Sequence, residues 1–484
     1  VKSGTSATFP KLFAASLTCA ASLLACASVH AQEKEEASNM QLLGHNDLQA
    51  RTAYQPTIQQ QGDRWIAYVG HHGGKQPNPL TGKDEYNGTS IVDVTDPKAP
   101  RYLTHLPGEE GEGEAGGAQM VRVCSGKTLP HAEQGKVYML RTFGGSAHEI
   151  WDVSAPEKPS LVSRITGNLR DTHKNFWECD TGIAYLISGA PGWKTRRMTQ
   201  VYDLSDPAKP RFIRNFGLVG QQPGSPDSLR GADYDMHGPI RLGSRIYFGY
   251  NTFLNGVIQI IDREKLLRGN PSAKDPFEPT DENLTYPVIT TFYTSPRLGA
   301  HTTLPLLGMD IPEFAKNKEG RTRDMLLVVN ESLRNECQEN RQMMYMVDIT
   351  TETKPWGVSN FQVPEANGNF CSRGGRFGSH SSNENMTSKY HKKLIFLAYF
   401  NAGIRAVDIR DPWSPREVGY YIPAVTPNTD KRCIKVDGAD RCKVAIQTNN
   451  VETDDRGYIY AVDRANSGMH ILDLTGPARA IVQP

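Results

Sequence analysis

Five histidines recur at one position along the chain. They are His45 in Gly44-His45-Asn46, His173 in Thr172-His173-Lys174, His237 in Met236-His237-Gly238, His301 in Ala300-His301-Thr302 and His380 in Ser379-His380-Ser381. Two copies extend further into an Arg-x-Gly-small-His pattern, Arg297-Leu298-Gly299-Ala300-His301 and Arg376-Phe377-Gly378-Ser379-His380. Neutral imidazole is the commonest metal ligand among side chains and suits Zn, Cu, Fe and Ni. Three or four imidazoles converging on one point would leave coordination positions open for water or substrate. The five are therefore candidate ligands for a transition metal (Cu, Zn or Fe) or for a small polar molecule. His71, His72, Arg297, Arg376 and Glu331 are candidates for the layer around them. The plain alternative is that each histidine hydrogen-bonds its neighbouring element around a wet channel.

The elements that must position these side chains are repeats. Seven segments place an apolar pair around an Asp and end in a turn, with the Asp at positions 93, 152, 203, 262, 348, 408 and 473. Recurrence on this scale indicates stacked supersecondary units. Thr95-Asp96-Pro97, Ser205-Asp206-Pro207 and Arg410-Asp411-Pro412 follow three of them. Asp closes such a turn with its side chain, and Pro presets φ and withholds an N–H from the ladder. The repeated Asp therefore reads as structural. Upstream of each lies a short β-branched or aromatic run, such as Trp65–Val69, Met325–Val329 and Leu394–Ala398, too short for a helix. Another strand precedes each run, and another follows each turn. Four strands per unit and seven units predict an all-β chain, a seven-bladed β-propeller with four-stranded blades. Met40-Gln41-Leu42-Leu43 is expected to supply the outer strand of the last blade. The start of each innermost strand lies at one mouth of the channel, so the five histidines are expected to converge there.

The segment Ile91-Val92-Asp93-Val94-Thr95-Asp96-Pro97 resembles the repeat of the LVIVD-repeat β-propellers, which are secreted or surface proteins of bacteria. The resemblance covers roughly residues 40–476 and is weakest at Asp262 and Asp473. It implies the fold and an exported location, and little about biochemical function, which has to be argued from the site.

The first residues read as an address. Lys2 and Lys11 precede the apolar run from Leu12 to Ala25, and small residues follow up to Ala31, the order of a secretory signal. Residues 1–31 are read as a signal peptide and 32–484 as a single propeller domain. Leu23-Leu24-Ala25-Cys26 also resembles a lipobox, making Cys26 a candidate lipid anchor. The expected location is periplasmic or secreted. Six cysteines lie beyond this segment, an even number suited to an oxidising compartment. Cys433 and Cys442 flank an Asp437-Gly438 turn and are expected to pair. Cys124 and Cys179 follow inner strands of adjacent units at similar offsets, and Cys337 pairs with Cys371 by elimination.

Basic and acidic residues nearly cancel, 54 Lys+Arg against 53 Asp+Glu, which argues against a nucleic-acid binder. No segment past the signal approaches the ~18 apolar residues of a transmembrane helix. No HExxH, GxSxG or P-loop spacing occurs. Three classes of function remain. One is an exported propeller binding a metal or small polar ligand at its channel mouth. The second is a metal-dependent oxidoreductase acting on a substrate there. The third is a scaffold for a protein partner.

Overall fold

The computed structural model describes residues 32, 34–226, 234–251, 255–311 and 322–483. The expected signal segment and Cys26 lie outside them. The fold is all-β and is built from antiparallel meanders. One comprises Ala53–Gln61, Arg64–Gly73, Gly88–Asp93 and Arg101–Pro107, with Gly113–Ala118 paired to the end of its second strand. The next is Val121–Ser125, Val137–Phe143, Ala147–Asp152 and Ser160–Ile165. Three more begin at Asn175–Trp177, Met236–Leu242 and Thr302–Asp310. A nine-stranded path holds the rest apart from two short hairpins. One half contains Phe377–Ser382, Leu394–Phe400, Ile404–Asp408 and Arg416–Ile422, with Glu36–Ser38 on its edge. The other half contains Thr448–Thr453, Ile459–Asp463, Gly468–Leu474 and Met40–Asn46, and the halves meet through the single pair Phe400–Thr448.

First strands pack on first strands. Ala53–Gln61 lies against Val121–Ser125, that against Asn175–Trp177, then Met236–Leu242, then Thr302–Asp310. Phe377–Ser382 touches Thr322–Val329 of the preceding sheet and also Thr448–Thr453, which returns to Ala53–Gln61. The sheets thus stand around a common axis as blades of a β-propeller. Second strands sit between neighbouring sheets on both faces, so their apolar runs need not alternate. Leu394–Phe400 is buried at every residue. Met325, Leu327, Phe377, Ile395 and Leu397 belong to one apolar cluster spanning two sheets.

The repeated Asp does the local work its position implies. Its Oδ1 accepts the backbone N–H two residues on at Asp93 (3.0 Å), Asp152 (3.0 Å), Asp203 (2.9 Å), Asp348 (2.9 Å) and Asp408 (3.1 Å). Asp262 instead caps the short helix Arg263–Arg268 through Lys265 N. A register shift just before the Asp recurs between third and fourth strands, as at Ile91/Val92, Val201/Tyr202 and Ala406/Val407. Such bulges increase the twist that splays blades from an axis.

The three disulfides pair as expected: Cys124–Cys179, Cys337–Cys371 and Cys433–Cys442, with Cα separations of 5.3, 5.4 and 4.0 Å. The first joins adjacent sheets, and the last crosses a two-stranded hairpin, Lys431–Val436 with Ala439–Val444. Met40–Asn46 pairs with Gly468–Leu474, Met40 opposite Leu474 and His45 opposite His470. It is the outer strand expected from Met40–Leu43. That placement corrects the expectation for His45, because a residue of an outer strand cannot also begin an inner one.

Candidate functional site

His173 and His301 stand just before first strands and His237 and His380 lie on them, and the structure brings their rings together. His173 Nε2 lies 2.9 Å from His237 Nε2. The His237 and His301 ring centroids are 3.5 Å apart, and those of His301 and His380 are 4.5 Å apart. His45 is not among them. It is exposed, its Nε2 contacts the Ser467 carbonyl at 2.7 Å, and its ring lies against His470. Tyr54, on the first strand Ala53–Gln61, takes the axial place expected of His45. Its hydroxyl is 3.3 Å from His173 Nε2, and its ring packs near His72 and His380.

The expected second layer divides. On Arg64–Gly73 successive side chains face opposite ways. His72 therefore joins Tyr54, while His71 turns away to the Ser90 hydroxyl at 2.7 Å. Glu331 sits over the ring cluster, 3.9 Å from His301 Nε2 and 3.6 Å from His380 Nε2. Arg376 Nη1 holds Glu331 at 3.0 Å, and Arg464 Nη1 lies 3.9 Å from it. Arg297, despite its matching sequence pattern, is exposed, with a left-handed backbone (φ 64°). The turn that carries it leaves its side chain exposed, and its carbonyl accepts from Gln342 Nε2 at 3.1 Å.

The cluster is buried rather than open at a mouth: His173, His237, His301 and His380 are each 3% exposed or less. Burial holds all four imidazoles well below their ordinary pKa, with neighbouring cations adding to the effect. They are neutral near pH 7, the state in which imidazole binds metal. Burial pushes the Glu331 carboxyl up, against the opposing pull of Arg376 and Arg464. Among the described residues, His301 Nε2, His173 Nδ1 and His237 Nδ1 meet no hydrogen-bond partner. Buried polar nitrogens are rarely left so without a ligand, ion or water. Ligand atoms of His237, His301 and Glu331 all lie within 4.8 Å of one another. Two imidazoles and one carboxylate form a donor set used by Zn and by non-haem Fe(II).

On the other side of the cluster the channel is filled by charge. Lys174 pairs with Glu384, which also pairs with Arg122, and Arg122 lies 3.9 Å from Glu452. All but Arg122 are almost completely buried. Burial raises the Glu452 carboxyl to about 8. Sequence reasoning missed this layer and also missed Tyr54. Lys174 directly follows His173, so it lay one residue from a recognised motif. Glu384 comes from 210 residues away and carried no signal.

No protein-family model matches the chain, and no curated protein matches it. Among solved structures it is similar to the β-propeller domain of Cps50 (Swd1) from Myceliophteria thermophila. The identity is 10%, the match covers 87% of this chain and 96% of that one, and the TM-score is 0.46. Among the described residues no helix is long and apolar enough to cross a membrane.

Proposed function

We propose that the chain is an exported seven-bladed propeller whose axial histidines bind a transition metal. Taking the two halves of the nine-stranded path as separate blades gives seven units, in agreement with the seven repeated Asp positions. Three disulfides suit an oxidising compartment, periplasmic or extracellular. The observation that carries the metal reading is the unpartnered, buried Nε2 of His301, close to both His237 and Glu331. His237, His301 and Glu331 would hold the ion, with His380 and His173 beside them. Zn, Fe and Cu all accept such donors. A bound ion would supply Lewis-acid or redox chemistry. The chain's own contribution is to keep the imidazoles neutral and dry and to fix Glu331 through Arg376.

Protein purified without chelator should contain about one transition-metal ion per chain by mass spectrometric metal analysis. His301→Ala and Glu331→Gln should each lower that content about tenfold or more while the circular dichroism spectrum stays β-type. Wild-type protein that neither contains metal nor takes up Zn, Cu or Fe in dialysis would reject the reading. The scaffold reading has its own support in Trp356 and Tyr293, 71% and 69% exposed on outer strands of adjacent sheets.

A further inference from the structure

Beside the histidine cluster lies a pocket of about 420 Å³, and His72 and Arg464 belong to both. Its volume falls within the roughly 300–1,000 Å³ of small-molecule sites. Its lining is unusual for such a site. Among the described residues around it there is no aliphatic side chain and no Phe, Tyr or Trp, while Arg464, Arg432, Lys75, Gln76, Asn466 and Glu112 all contribute. A ligand held here has to be hydrophilic over most of its surface, since it would find hydrogen-bonding groups on every side and little apolar area to bury.

The charge of the site favours an anion. Arg432 and Arg464 both line the pocket, and Arg376 stands near them. In the lining itself Lys75, Arg432 and Arg464 face Glu112 and Asp430, an excess of one cation, and Glu114 also acts on Arg376 and Arg464. Arg376 and Arg464 share Glu331. Arg432 reaches Asp430 at 3.5 Å, and Asp430 is also engaged by Asn466. Arg464 lines the pocket, and the Glu331 carboxylate, 3.9 Å from its Nη1, is beyond hydrogen-bonding distance of it. His72 supplies an independent sign. It is 3% exposed, it lines the pocket, and among the described residues its Nε2 meets no partner. A buried ring nitrogen of that kind is a hydrogen-bonding position awaiting a ligand or water.

We propose that this pocket binds a small, hydroxylated organic carboxylate, with Arg464 and Arg432 pairing its carboxylate and His72 hydrogen-bonding a hydroxyl, next to the metal centre. This rests on the metal reading for its functional sense but not for its binding chemistry. Guanidinium is suited to carboxylate because its fork matches two oxygens.

The test is calorimetric titration of the full chain with galacturonate, tartrate and citrate, with galactose as the neutral counterpart of the first. At least one acid should bind, and galacturonate, if it is that one, should bind about tenfold or more tighter than galactose, the loss expected on removing a charged hydrogen bond. Arg432→Met should weaken the bound acid by about tenfold with metal content unchanged, and Arg464→Met should weaken it by about as much. Two variants guard against one failing to fold. Failure of all three acids, equal binding of galactose, or unchanged acid affinity in both folded variants would overturn the proposal. The metal reading fails separately: protein lacking metal but binding the acid through Arg464 would sustain the pocket and reject the ion.

Discussion

At the scale of single residues, the burial of neutral histidines has a price in acid that can be measured away from the candidate ligands. His148, on Ala147–Asp152, is fully buried, and neither ring nitrogen has a partner among the described residues. Burial alone holds its pKa down to about 3. The unfolded chain takes up that proton near pH 6.5, while the folded one does not until about pH 3. Stability from this group is therefore full above about pH 6.5 and falls as the pH drops through that window, by about 1.4 kcal/mol per unit. His148→Leu should be about 2 kcal/mol more resistant at pH 5, relative to its value at pH 7, in urea unfolding followed by fluorescence. Parallel pH profiles for the two proteins would show that His148 is not the buried neutral group the structure describes. Residue type alone made the histidines legible as a set. It could not tell a ring at the axis from one on the rim, because that depends on strand order: His45 lies on an outer strand, whereas His173 just precedes an inner one. Tyr54 was missed for the converse reason, since its axial place carries no histidine.

Elements show where the repeat pattern stops being sufficient. Turns ending in Asp fixed the third strands and their register, and the apolar runs marked the second strands. Closure of the ring depends on a segment with no Asp signature, Met40–Asn46, and was legible only as an apolar stretch needing an edge. Its fit is tight. A Cβ on Gly44 would stand 2.2 Å from the Pro97 carbonyl oxygen and 3.0 Å from Pro100 Cδ, both in the Asp-Pro turn of the neighbouring sheet. Gly44→Ala must therefore shift either the closing strand or that turn, at a cost of about 1–3 kcal/mol. Gly357→Ala, on an outer strand where the added carbon meets nothing within 4 Å, is the control and should stay within about 0.5 kcal/mol of the parent. Urea midpoints compare the two directly. Equal midpoints for Gly44→Ala and Gly357→Ala would mean that the first and last strands do not close the ring as described.

For the whole molecule, the histidine cluster matters because its members come from successive sheets. His173 precedes the first strand of one meander, His237 lies on that of the next, His301 precedes that of a third, and His380 lies on that of a fourth. Sheets packed around an axis touch mainly through side chains, so a group that binds several of them at their inner ends ties units that the backbone joins only in sequence. The buried Lys174–Glu384 pair spans sheets in the same way deeper in the channel. These cross-sheet links were not legible beforehand, because pattern reading finds neighbours in sequence and the axis assembles residues far apart in it. An ion bound only by the folded ring stabilises it by mass action, about 4 kcal/mol when free metal exceeds the dissociation constant a thousandfold. For a chain of this length, with unfolding entropy of about 2.1 cal/mol/K per residue, that amounts to about 4 °C in melting temperature. Calorimetric melting of metal-loaded wild type should thus drop by about that much after removal of the ion with a chelator, and recover on readdition of the metal. His301→Ala should melt at one temperature regardless of chelator. A shift of the same size in that variant would place the stabilising ion elsewhere, and no shift in wild type would leave the imidazoles tying the sheets by hydrogen bonds alone.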